Sequence, residues 1–234
     1  MIKEELIQRS PVRAFMNSID GGLKAGELGV IASPSGIGKT SVLVQIALDK
    51  LLQGKKIIHI SFTQHTDNIL VWYENIFDEF IKRKNLENEG DVKNEIVKNR
   101  VLMKFNQDVL TSVQILKSVR VLMTEGGFNA ETIIIDGFNF ADASIDRIAH
   151  VKAFAKEMGI SVWYSCTIKG EKPFYDKNTI PLVLKDSVEL FDIVTVLEPQ
   201  QNHTALSVSY NRGVNNPEHK SLRLDPKTLL MLES

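Results

Sequence analysis

The run Ser33-Pro34-Ser35-Gly36-Ile37-Gly38-Lys39-Thr40 carries the sharpest chemical signal in the chain. Its glycines let backbone N–H groups close around an anion without a Cβ in the way. An apolar stretch precedes the run and a helical one follows, the setting in which such a turn holds phosphate. The start of the helix adds unpaired N–H donors and a partial positive charge. The pattern predicts a polyphosphate site. Ser35, Gly36, Ile37, Gly38, Lys39, Thr40 and Ser41 surround its oxygens, the Lys39 ammonium reaches the outer phosphates, and the Thr40 hydroxyl holds Mg²⁺. The usual pattern is G-x-x-x-x-G-K-[ST], and Ser33 stands at its first position instead of glycine. A dinucleotide-binding turn is the rival. Only Gly36-Ile37-Gly38 supports it, Ser41 sits where a third small glycine or alanine belongs, and no acid ends the second strand.

A second candidate is Asp136, which ends the apolar run Thr132-Ile133-Ile134-Ile135. An apolar strand that emerges into a carboxylate is how a phosphate-loop protein places the acid behind its Mg²⁺. The plain alternative is a surface aspartate opening the turn Asp136-Gly137.

Positioning these groups requires a frame, and the chain alternates β-type runs with helical stretches. The sequence predicts strands over 28–32, 56–62, 101–105, 132–135 and 161–167, with helices over 39–53, from Thr66, up to Glu125, and over 144–158. Gly54, Gly126-Gly127 and Gly159 stand where helices stop. Three late strands, over 192–197, 205–210 and 221–224, have short connections. The fold class expected is α/β, a mostly parallel central sheet flanked by helices with a C-terminal antiparallel extension. Residues 82–98 are charge-rich and read as a solvated excursion with a turn or two of helix around a break at Gly90. No second domain or linker is visible; residues 1–18 form an N-terminal stub to one domain.

Composition narrows the function classes. The 234 residues are 43% hydrophobic, enough to bury a sizeable core. Lys+Arg 28 against Asp+Glu 29 excludes a generally basic, nucleic-acid-coating protein. Cys166 is the only cysteine, so no intrachain disulfide forms, and mid-strand it reads as a small core residue. The first residues lack the apolar core of a signal peptide, and no apolar run approaches the ~20 residues that span a bilayer. The expectation is a cytoplasmic protein without a membrane partner.

Beyond single motifs, Gly21-Gly22-Leu23-Lys24-Ala25-Gly26-Glu27-Leu28, the run through Ser41, then Gly54 to Phe62, Asp136, Val194 to Pro199 and Tyr210-Asn211-Arg212-Gly213 together resemble the RecA/DnaB/KaiC superfamily. The resemblance covers roughly residues 19–230. It implies a RecA-like core with an extra strand between the phosphate-loop strand and the Asp136 strand. It also implies ATP and Mg²⁺ as cofactors, and a homo-oligomeric ring or filament, hexameric in the replicative helicases, with ATP between subunits. Arg212 falls where the family places an arginine against a neighbour's γ-phosphate, and Tyr210 replaces the lysine of that element. Thr167 falls at the polar γ-phosphate sensor.

The main departure concerns the catalytic base. The family ends its second strand in one or two glutamates, and Thr63 and Gln64 stand there instead. Neither takes a proton as a carboxylate does, and loss of a general base costs ~10²–10⁴-fold in rate. Gln64 can orient a water; a shifted register would offer Asp67, and His65 is a further proton acceptor in the same turn. The reading is ATP binding with slow hydrolysis, catalytic residues Lys39, Gln64 and Arg212, and an ATP-gated module with a protein partner. The alternative is a helicase- or recombinase-type ATPase on DNA. For that alternative the loop 169–181 would face single-stranded DNA with Phe174 and Tyr175 as stacking rings, but its net charge is only +1, three lysines less two acids, and the rings are expected to pack on protein. Trp72 and Tyr73 read as core, or as an oligomer interface.

Overall fold

The computed structural model describes residues 10, 12–63, 65–84, 90–169, 174–176, 179–215, 217 and 222–232. In chain order the elements are α1 (Val12–Ser18), β1 (Leu28–Ser33), α2 (Lys39–Leu52), β2 (Ile57–Ser61), α3 (Thr66–Lys84), α4 (Gly90–Lys98), β3 (Arg100–Lys104), α5 (Ser112–Thr124), β4 (Thr132–Asp136), α6 (Ile145–Met158) and β5 (Ser161–Thr167). Two short 3₁₀ turns lead into β6 (Ile193–Pro199), β7 (Thr204–Asn211), β8 (Val214–Asn215), β9 (Leu222–Leu224) and β10 (Met231–Leu232).

One mixed sheet runs β10-β9-β7-β6-β1-β5-β4-β2-β3, with β8 paired to β7. Strands β6, β1, β5, β4, β2 and β3 pair in parallel, and β7 to β10 pair antiparallel. β5 lies between β1 and β4, an order compatible with a RecA-like domain. The central strands β1, β2 and β4 are buried at every position, as parallel strands covered on both faces must be.

Each face has its own apolar cluster. On one face α1 to α4 pack, with α2 at the centre, buried at every residue except Thr40 and Lys50. On the other, α5 and α6 cover the alternate residues of β1, β2, β4 and β5. Thr111 caps α5 with a reciprocal bond to Gln114, and Gly159 ends α6 in a left-handed conformation (φ 65°).

Of the stretch 82–98, residues 85–89 lie outside the described residues, and the break expected at Gly90 needs correction. Gly90 starts a nine-residue helix instead of breaking one, and Val92 and Ile96 are buried in the core beneath it. Their i, i+4 spacing forms a narrow apolar stripe that the surrounding charges obscure. Thr66 is the first residue of α3. Among the described residues, no helix is long and apolar enough to cross a membrane.

Candidate functional site

The strands β1, β4 and β5 end at one edge of the sheet, and a cleft of about 450 Å³ opens there. The 33–40 turn forms one wall. Gly38 sits directly before α2 with φ 107°, in a left-handed region that L side chains resist, and a Cβ there would meet Leu224 and Leu229 at 3.7 Å. Ser35 and Gly36 face solvent on the rim, whereas Lys39 turns inward. Its Nζ donates to Pro34 O (2.8 Å), Ser33 O (3.1 Å) and Ser33 Oγ (3.3 Å). Burial lowers the pKa of Lys39, opposed in part by the negative charge of Asp136. No carboxylate among the described residues pairs with the ammonium, so it brings an unmatched positive charge to the cleft.

Sheet register brings the other groups to this wall. β2 and β4 pair Ser61 with Asp136, so the chain leaving β2 carries Thr63 over Gly137. A Cβ at Gly137 (φ 80°) would lie 2.4 Å from Thr63 Oγ1, so only glycine fits beneath that side chain. β1 and β5 pair Ser33 with Thr167, which places Thr167 beside the turn. Thr40 Oγ1 donates to Asp136 Oδ2 at 2.9 Å, across the gap between α2 and β4. Asp136 is buried, yet it lines the cleft together with Thr40, Thr63 and Thr167. It is the only acidic side chain among the described residues that do so.

This donor set fits a magnesium ion. One hydroxyl and one carboxylate converge, both hard oxygen donors, and Mg²⁺ takes one or two carboxylates while keeping positions for phosphate and water. No cluster of three or more His, Cys, Asp or Glu side chains exists among the described residues that would hold a metal without such a co-ligand.

Sequence reasoning missed several parts of the cleft. Ser165, buried on β5, donates to Asp136 Oδ1 at 2.5 Å and accepts from the Gly137 N–H at 2.8 Å. Trp72 packs against the first apolar cluster, as expected of a core residue, and also lines the cleft, as do Asn139 and Lys169. Leu229 forms part of the wall with a left-handed backbone (φ 56°). Its carbonyl accepts from Ser41 Oγ and Gln45 Nε2, each at 2.9 Å, while Gln45 Oε1 accepts from Met231 N at 2.8 Å. The Ser41 side chain is therefore turned to the C-terminal turn.

Other expected residues lie elsewhere. Gln64 is outside the described residues. His65 and Asp67 are exposed, 3.4 Å apart, and do not line the cleft. Arg212 sits at the opposite edge of the sheet, where β6 begins: its backbone N–H donates to Asp192 O. Its guanidinium forms a two-point pair with Glu27 (2.7 and 2.9 Å) and donates to Gly22 O at 2.9 Å. Phe174 and Tyr175 pack back onto the second apolar cluster, and burial pushes the Tyr175 phenol up to about 12. Cys166 is a core residue whose thiol burial raises to about 12.

No protein-family model matches the chain, and a search of the curated proteins returns no match. The fold and the cleft define the class: an α/β protein with a mostly parallel sheet and a polar cleft at the edge where the parallel strands end.

Proposed function

We propose that the chain binds a nucleoside triphosphate with Mg²⁺ in the 450 Å³ cleft, ATP by its resemblance, and hydrolyses it slowly as an ATP-gated oligomeric module with a protein partner. The observation that carries the reading is the convergence of Lys39, Thr40 and Asp136 on one cleft with no second carboxylate among its described lining. The N–H groups of the turn and the first turn of α2 receive phosphate oxygens, favoured by the positive end of the helix. Lys39 exchanges its carbonyl partners for phosphate oxygens, and the exchange is favourable because a charged acceptor replaces neutral ones. Thr40 and Asp136 would hold the magnesium ion, which when bound neutralises phosphate charge and polarises the terminal phosphoryl group.

Slow hydrolysis follows from Thr63. It stands over Gly137, beside Asp136, where the resembled family carries a carboxylate base. Its hydroxyl does not take a water's proton as a carboxylate does, a deficit of ~10²–10⁴-fold. In an assembly, Arg212 would reach a neighbour's nucleotide only by leaving Glu27.

Calorimetry with ATP and Mg²⁺ tests binding, with Lys39→Ala as the blank. Steady-state turnover with and without single-stranded DNA tests the output. Binding with feeble, DNA-independent turnover is expected. DNA-stimulated turnover would replace the module with a helicase- or recombinase-type motor, and no heat at millimolar ATP would end the reading.

A further inference from the structure

The Asp136 carboxylate is gripped on both oxygens. Thr40 donates to Oδ2 and Ser165 to Oδ1. The Ser165 hydroxyl has one proton, and because it accepts from the Gly137 N–H, that proton is committed to Asp136. Ser165 and Asp136 are both nearly inaccessible, at 2% and 3% exposure, so water does not compete for these bonds. The placement follows from register. β4 and β5 pair Ile135 with Tyr164, and one step further sets Asp136 beside Ser165. The serine thus fixes the rotation of the carboxylate and ties it to the turn over which Thr63 sits.

Resting on the functional reading above, we infer that Ser165 is a positioning residue: it holds Asp136 Oδ1 so that Oδ2 stays beside Thr40, in the orientation that receives the cation of the nucleotide complex. Partners that orient a metal ligand change metal affinity by ~10–100-fold when removed. Without the serine proton, the carboxylate is held at Oδ2 by Thr40 alone and the Gly137 N–H loses its acceptor.

The test is the magnesium dependence of nucleotide affinity in the full chain, with a non-hydrolysable ATP analogue titrated calorimetrically over a Mg²⁺ series and in EDTA. Ser165→Ala is expected to raise the Mg²⁺ midpoint about tenfold while leaving affinity in EDTA unchanged. Ser165→Thr, which keeps the donor, restores the midpoint. If Ser165→Ala fails to fold, Ser165→Cys keeps the size with a weak donor and is expected to shift the midpoint in the same way. A serine with a merely structural role would lower the melting temperature and leave the midpoint alone; that result overturns the inference while the nucleotide reading stands. Wild-type chain that binds no analogue at any Mg²⁺ concentration overturns both.

Discussion

Two clusters of charge lie at opposite edges of the same sheet. At the edge where the parallel strands end, the Lys39 ammonium is held by the carbonyls of Ser33 and Pro34 and by one hydroxyl. At the edge where they begin, the Arg212 guanidinium is held by the carboxylate of Glu27, with Asp20 nearby, and Lys152 pairs with Asp192. Neutral partners satisfy the donors of Lys39 without an ion pair, and Asp136 opposes its charge only from a distance, so an anion entering the cleft is still attracted. Carboxylate partners satisfy donors and charge together, which makes the second cluster a clasp. Through Gly22 and Glu27 it fastens the segment ahead of β1 to the end of β7. Side-chain type alone does not separate the two basic residues; the partners do.

The largest expected effect is at Lys39. Lys39→Ala should weaken ATP binding at least ~100-fold, since it removes a charge-assisted contact to phosphate. Because burial already disfavours its charged form, the melting temperature should hold. Calorimetry and a thermal melt on the same sample check both halves. An unchanged affinity would break the contrast.

At the other edge the signs reverse. Arg212→Met should cost about 2 kcal/mol of stability, by leaving a partly buried Glu27 with the Lys24 N–H but without its ion-pair partner, and leave the ATP affinity of a single chain unchanged. Urea titration and calorimetry separate the two. A turnover loss seen only at concentrations where the chain assembles would give Arg212 a role in trans and sharpen the comparison.

Thr63→Glu is expected to raise hydrolysis about tenfold by supplying the missing base. A flat rate in a folded variant would show that the base position has been misplaced.

The smallest effect concerns pH. Burial works against the Glu27 carboxylate, but the Arg212 pair and the Lys24 N–H outweigh it and hold its pKa below the ordinary value of 4.5. The folded chain therefore binds fewer protons than the unfolded chain near that pH. The contribution is fully present above the ordinary value of 4.5 and is lost as the pH falls below it through the lowered value of the folded chain. The stability difference between wild type and Glu27→Gln, read from urea midpoints, should shrink over that window. A constant difference would mean that Arg212 does not favour the ionised form.

Much of the site was legible because its signals are local. The turn 33–40 carries its own conformational code in Gly36 and Gly38 (φ 79° and 107°), and the run Thr132 to Ile135 is apolar because both its faces are covered. Ser165 gave no such signal. A lone serine in a β-type run is unremarkable until β5 is set between β1 and β4, and its partner lies 29 residues away. Trp72 was likewise ambiguous. The α3 periodicity that buries Ile69, Tyr73 and Ile76 does not say which neighbour takes the flank of the stripe. The helix over 90–98 was read as broken and solvated because three apolar side chains among the charges resemble a solvated helix face until α2 and β3 offer Val92 and Ile96 a surface.

By itself the sequence determined the strand-turn-helix around Lys39, the acid at the end of β4, the α/β alternation and the absence of glutamate at 63 and 64, since each is written in contiguous residues with their own backbone preferences. Tertiary structure alone decided that Arg212 is spent on Glu27, that Ser165 grips Asp136, and that Leu229 walls the cleft under the hold of Gln45. Those contacts join residues far apart in the chain, and their geometry exists only once strand order and register have brought them within a hydrogen bond of each other.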